Sequence, residues 1–198
     1  RLQEATREAK DAFEHIITNY RVASVLQLSY DDVLAKDPYQ VVFVLLHQGR
    51  DNFALAGRFI SLHELDTGKI GALLAKVFTL ALETHHSRVS GDGGAGAGGR
   101  LLPEAFPMWS TGQFGAFAAL CKDLTRLGDC LMDAISQQRK LPGACEVEIM
   151  ARAHFCYDLA GAVDVVDALL ELVRAKSESY LRAGAYGLCA FLFRSLKR

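Results

Sequence analysis

The feature that most limits what this chain can become is the spacing of its apolar residues, which recur every three or four positions with little interruption. In the first segment Leu2, Ala5, Ala9, Ala12, Phe13, Ile16, Ile17 and Tyr20 fall on one helical stripe. After Asp66, a residue suited to an N-cap, Ile70, Leu73, Leu74, Val77, Phe78, Ala81 and Leu82 share a face. Leu124, Leu127, Leu131 and Ile135 make a third stripe, and Val163, Val166, Leu169, Leu170 and Val173 a fourth. Alternation of the kind a half-buried strand needs is missing. The spacing predicts an all-α protein.

Helix-breaking residues divide these stripes into short units. Asp37-Pro38 precedes the apolar run Val41 to Leu46, and Gly49-Arg50-Asp51 precedes the next helix. Ser110-Thr111-Gly112-Gln113 has capping-box spacing, which opens a helix carrying Phe114, Phe117 and Leu120. Leu141-Pro142-Gly143 separates two more helices, and Gly161 and Gly184 mark later joints. About nine helices of roughly 10–20 residues, joined by short connections, predict an α-solenoid-like stack of antiparallel helical hairpins. No fixed repeat period supports a consensus repeat of the tetratricopeptide type. Ser90 to Gly99 is a glycine and alanine tract too poor in side chains to pack. The expected organisation is an N-terminal helical layer (1–86), a Gly/Ala-rich disordered linker (87–107) and a C-terminal helical layer (108–198). Ala105-Phe106-Pro107-Met108-Trp109 is expected to anchor the re-entering chain.

Composition removes several function classes. With 22 basic and 23 acidic residues well mixed in 198, and a net charge of −1, there is no footprint for nucleic acid or anionic lipid. No apolar run approaches the roughly 18–20 residues of a membrane span. The opening Arg1-Leu2-Gln3-Glu4-Ala5 has neither an initiator Met nor a signal-peptide core, and the expectation is a piece of a longer protein. Five dispersed cysteines (Cys121, Cys130, Cys145, Cys156, Cys189) fit neither disulfide pairs nor zinc spacing. They are expected to be free thiols in a reducing cytosol.

The motifs that could carry chemistry each have a plainer explanation. Gly91-Asp92-Gly93-Gly94-Ala95-Gly96 matches GxGxxG, but it follows a helix where a dinucleotide fingerprint follows a strand. Glu83 and His86 have the Glu-x-x-His spacing of di-iron bundles, yet no second copy exists; His at a helix C-terminus suits the dipole. Cys145, His154 and Cys156 lie on an apolar stretch without metal-ligand spacing. Glu146 and Glu148 point to different helix faces and cannot pair as acid and base. Asp164, Asp167 and Glu171 share a face with Arg174 and read as a solvated face with an internal ion pair. Trp109, Phe114 and Phe117 are assigned to core packing over a binding hot spot. No catalytic, cofactor-binding or metal residue is assigned, and the chain is not expected to be an enzyme. A metal- or ligand-binding bundle remains an alternative, with Glu83, His85 and His86 as its polar cluster. Another is an adaptor for a small GTPase.

From Cys145 onward the residues resemble a known family. Cys145-Glu146-Val147-Glu148-Ile149, Ala153-His154-Phe155-Cys156-Tyr157 and Tyr186-Gly187-Leu188 are similar, in order and spacing, to the start of the spatacsin C-terminal domain. The resemblance covers residues 144–198; upstream, Arg58-Phe59-Ile60 through Leu73-Leu74-Ala75 is compatible with the family's helical region. The glycine tract and Phe191-Leu192-Phe193 depart from the family pattern. The resemblance implies a segment of a large scaffold in the cytoplasm, at the surface of late endosomes and lysosomes, active in endosomal sorting, autophagy and lysosome reformation. It also implies a spastizin-like protein and the fifth adaptor-protein complex as partners, with membrane association only through them. It brings no catalytic residues and no cofactor.

Overall fold

The computed structural model describes residues 2–91, 110–137 and 141–196, the side chains of 2–5, 89–91 and 111 excepted. Among the described residues every regular element is helical. They are α1 (Leu2–Leu26), α2 (Tyr30–Ala35), α3 (Pro38–Gln48), α4 (Phe53–Leu62), α5 (Thr67–Gly91), α6 (Thr111–Ala118), α7 (Leu124–Gln137), α8 (Gly143–Ala160), α9 (Val163–Arg182) and α10 (Tyr186–Leu196), with a 3-10 turn at Arg50–Asn52 before α4. The chain forms two compact units, 1–70 and 71–198, so that α5 begins in the first and continues in the second. The linker expected at 87–107 is helical over its first five residues, 87–91. The rest of the linker, the GxGxxG match beyond Gly91 and the 105–109 anchor lie outside the described residues.

In the first unit, local polar groups fix where helices start. Ser29 and Asp32 close a capping box on α2: the Asp32 N–H donates to Ser29 Oγ at 3.1 Å and the Ser29 N–H to Asp32 Oδ2 at 3.2 Å. Asp37 accepts from the Tyr39 N–H at 3.1 Å, with Pro38 at the first helical position of α3. Asp66 caps α5 by accepting from the Lys69 N–H at 2.9 Å. Val33, Val41, Val42, Leu45, Phe59 and Ile60 fill the core. α1 lies against α2, α3 and α4.

The apolar stripe of α1 is not what docks it. Thr18, Asn19, Val22 and Ala23 are buried, while Phe13 (62% exposed), Ile16, Ile17 and Tyr20 (59%) face outward. The buried face fits because it is small and hydrogen-bonded: Asn19 Oδ1 meets His63 Nε2 at 3.2 Å, and the His15 and His63 rings stand edge to face at 5.5 Å. A side chain as large as Phe13 in that seam would hold the helices apart.

In the second unit α8 is the central element, packed by α7, α9 and α10. Its length from Ala144 to Tyr157 is mostly buried, including Cys145, Val147, Ile149, Met150, Ala153 and Cys156. Gly161, at φ +69°, takes the left-handed conformation that closes α8, so the joint falls on a residue without a Cβ. α7 reaches α8 because Gly128 carries no side chain; a Cβ there would come within 2.5 Å of the Tyr157 ring. The Ser110 capping box opens α6, and Phe114 and Phe117 are fully buried against Phe78, with Phe78 and Phe114 centroids 5.2 Å apart. On α9, Leu169 and Val173 of the expected stripe are buried but Val163 (67%) and Leu170 (42%) are not.

Candidate functional site

Of the polar residues singled out in the sequence, Glu83, Cys145 and Glu148 come near one another, while Cys145 and His154 fall on opposite sides of α8. Cys145 and Cys156 are eleven positions apart on α8, which returns to nearly the same face after about three turns, whereas His154 points to the opposite side. Burial, with the Glu83 and Glu148 carboxylates, pushes the Cys145 thiol up to about 11. Burial and then Cys121 push Cys156 up to about 12, against the opposing pull of Arg152. Thiols held this far above neutrality are poor nucleophiles and poor metal ligands. All five cysteines are free. Glu83 and Cys145 approach across α5 and α8, where the Cys145 thiol lies 3.8 Å from the Leu82 carbonyl oxygen. His86 Nδ1 is buried with no hydrogen-bond partner among the described residues. No group of three or more His, Cys, Asp or Glu among the described residues is placed to hold a metal.

Glu146 and Glu148 do diverge, and each is occupied. Glu146 accepts from Lys176 Nζ and, at 2.9 Å, from the Tyr180 hydroxyl, fastening α8 to α9. Glu148 pairs with Arg152 one turn on, through Arg152 Nε at 2.8 Å, both side chains being more than nine-tenths buried. The Arg152 guanidinium lies 5.2 Å from the centroid of Phe114. Tyr157 donates to Asp129 Oδ1 at 3.0 Å, and burial first, then Asp129, raises its phenol. On α9 the expected ion pair is shifted: Arg174 Nε lies 3.8 Å from Glu178, one turn on, and not against Glu171. Arg174, Glu178 and Arg182 form one exposed chain of charges.

What the structure offers instead is surface. The outward stripe of α1 continues to α2, where the Tyr30 ring stacks on Tyr20 at 4.6 Å. Beside it, α1, the 3-10 turn and α4 enclose an open cleft of about 410 Å³ lined by Arg21, Ser24, Val25, Asn52, Leu55 and Arg58. Asp51 stands at its 3-10 end. Asn52 is fixed there by donating from Nδ2 to the Leu45 carbonyl at 3.2 Å. Sequence reasoning missed this cleft because its residues belong to three elements and follow no short motif. A second groove, of about 450 Å³, runs between α5 and α7 over Ala72, Ala75, Thr79 and Cys130.

Comparison with known proteins finds similarity that is most specific in the C-terminal part. Residues 126–198 match the family model described as the spatacsin C-terminus. Spatacsin of Mus musculus is 26% identical over 191 residues, covering 96% of this chain and 7% of its own length. A Dictyostelium discoideum protein is 22% identical over 263 residues, again covering 96% of this chain and 7% of that protein. The chain thus spans about one-fourteenth of the curated relatives it matches. No solved structure matches it. The stretches that carry the resemblance are α8 and the first turn of α10, and α8 is the central packing element of its unit.

Proposed function

Residues 126–198 being a spatacsin-family C-terminal segment, we propose that the chain is a non-catalytic helical scaffold segment that serves endosomal and lysosomal membrane trafficking through protein–protein contacts. The observation that carries this reading is the fate of the family-like residues. Cys145, Val147, Ile149 and Cys156 pack, Glu146 ties α8 to α9, and Glu148 is neutralised by Arg152. A motif taken up in this way holds a shape and leaves no group for turnover. Short helices arranged as stacked hairpins would present the extended surfaces that solenoid scaffolds use. The outward stripe of α1 is such a surface.

By the same reading, the chain acts on the cytoplasmic face of late endosomes and lysosomes, with a spastizin-like protein and the fifth adaptor-protein complex as its partners. No helix among the described residues is long and apolar enough to cross a membrane, which fits attachment through partners. The test is affinity capture with the purified chain from cell extract, read by quantitative mass spectrometry. Enrichment of endosomal or lysosomal coat proteins supports the reading. Recovery of a stoichiometric metal, or of metabolic enzymes without coat proteins, overturns it.

A further inference from the structure

We infer that the α1–α4 cleft of the first unit docks a protein segment in which an apolar side chain is flanked by carboxylates. This rests on the scaffold reading and specifies the partner's chemistry.

The argument is one of charge and shape. Arg21 from α1 and Arg58 from α4 line the same cleft, and both are exposed. Neither has an ion-pair or hydrogen-bond partner among the described residues, although the chain carries 23 acidic residues. Two like charges in one concavity repel each other and raise its potential, a cost that an anionic ligand relieves. Guanidinium is the group best shaped to grip a carboxylate through two parallel hydrogen bonds. Val25 and Leu55 line the same cleft and give an apolar side chain a place to lose its hydration, and Ser24, beside Val25 in sequence, can donate or accept. The walls are held in place: α1 is locked to α4 by the Asn19–His63 contact, and Asn52 is tied to α3. A cleft so held recognises a ligand with little ordering cost of its own.

Asp51 sets the polarity. It places a negative charge at the 3-10 end, so a uniformly acidic run is disfavoured there and carboxylates are favoured only beside the two arginines. An alternating acidic and apolar segment satisfies both ends. A bare phosphate would leave Val25 and Leu55 uncovered.

The experiment uses the full chain and a fluorescein-labelled peptide alternating glutamate and leucine, followed by fluorescence anisotropy. Matched probes carry glutamine in place of glutamate, and vesicles containing a phosphoinositide form a separate arm. The acidic peptide is expected to bind, and the glutamine peptide to bind at least about tenfold more weakly. Arg21→Gln and Arg58→Gln should each weaken binding by about three- to tenfold, and Asp51→Asn should strengthen it. All three sites are exposed, so unchanged thermal melts verify the fold. Equal binding of the acidic and glutamine peptides, or no response to the double arginine variant, overturns the inference. Arginine-dependent binding of the vesicles without peptide binding also overturns it, assigning the cleft to a lipid headgroup. Failure here is separable from failure of the scaffold reading: coat proteins captured equally by wild type and the double variant would sink the cleft alone.

Discussion

Gly128→Ala tests the packing of α7 on α8 with opposing effects whose sum has a definite sign. In an unconstrained helix interior, replacing Gly by Ala stabilises by about 1 kcal/mol. Here the new Cβ would lie 2.5, 2.8 and 2.9 Å from three ring atoms of Tyr157, well inside van der Waals contact. The ring cannot swing away cheaply, because its hydroxyl is held by Asp129 at 3.0 Å and its residue is only 2% exposed. Overpacking costs about 1–3 kcal/mol, and loosening the hydrogen bond to the carboxylate adds about 1 kcal/mol. The net expectation is a loss of about 1–3 kcal/mol, read by urea denaturation followed by circular dichroism. In a Tyr157→Leu background the obstruction is gone, and Gly128→Ala should become neutral or stabilising by up to about 1 kcal/mol. If the substitution stabilises the otherwise unaltered chain, or costs the same in both backgrounds, the close approach of α7 and α8 is not what Gly128 provides.

Other substitutions and conditions probe the same architecture. Arg152→Met should destabilise the second unit by about 3–5 kcal/mol by stranding the buried Glu148 carboxylate, and Glu148→Gln in the same chain should restore most of it; denaturation midpoints decide. Burial, and then the charge of His15, holds the His63 imidazole below its ordinary value of 6.5. The unfolded chain therefore binds more protons than the fold below about pH 6.5, so this contribution is intact at neutrality and is lost as the pH falls. Melting temperatures between about pH 7.5 and 5.5 should drop less steeply in His63→Gln than in wild type. Under native conditions maleimide should modify Cys130 first, since Cys121, Cys145, Cys156 and Cys189 are buried. Mass spectrometry showing several equivalents added at once would contradict the packing of α8.

The helical class, and the starts of α3, α5, α6 and α8, were legible because they are written locally. Asp37-Pro38, Asp66, the Ser110–Gln113 box and Pro142-Gly143 are short-range instructions, as are the glycine joints at Gly161 and Gly184, both with φ near +70°. The ends of α1 and α4 were hidden, because Gln27 (φ 55°) and Glu64 (φ 47°) adopt left-handed backbone where glycine is the usual sign. Chain-closing bonds hold them there, from Leu28 N–H to the Ala23 carbonyl at 2.9 Å and from Leu65 N–H to the Ile60 carbonyl at 3.1 Å. Periodicity located the apolar faces but not their partners. It put the large residues of α1 on one stripe, and the seam with α4 took the small and polar side instead. The cleft was invisible for a related reason: Arg21, Asn52 and Arg58 meet only once the helices are packed.

The placement of α8 between three other helices has a consequence for how the second unit comes apart. Most of that helix from Ala144 to Tyr157 is buried against its neighbours, so its hydrogen-bonded amide protons there should exchange with solvent mainly when the whole unit opens. Deuterium uptake along 146–157 would then be the slowest in the chain and would track the unit's global stability. A change at one of its buried positions would be felt as a shortened lifetime of the entire folded unit, with no local blemish to mark where it began.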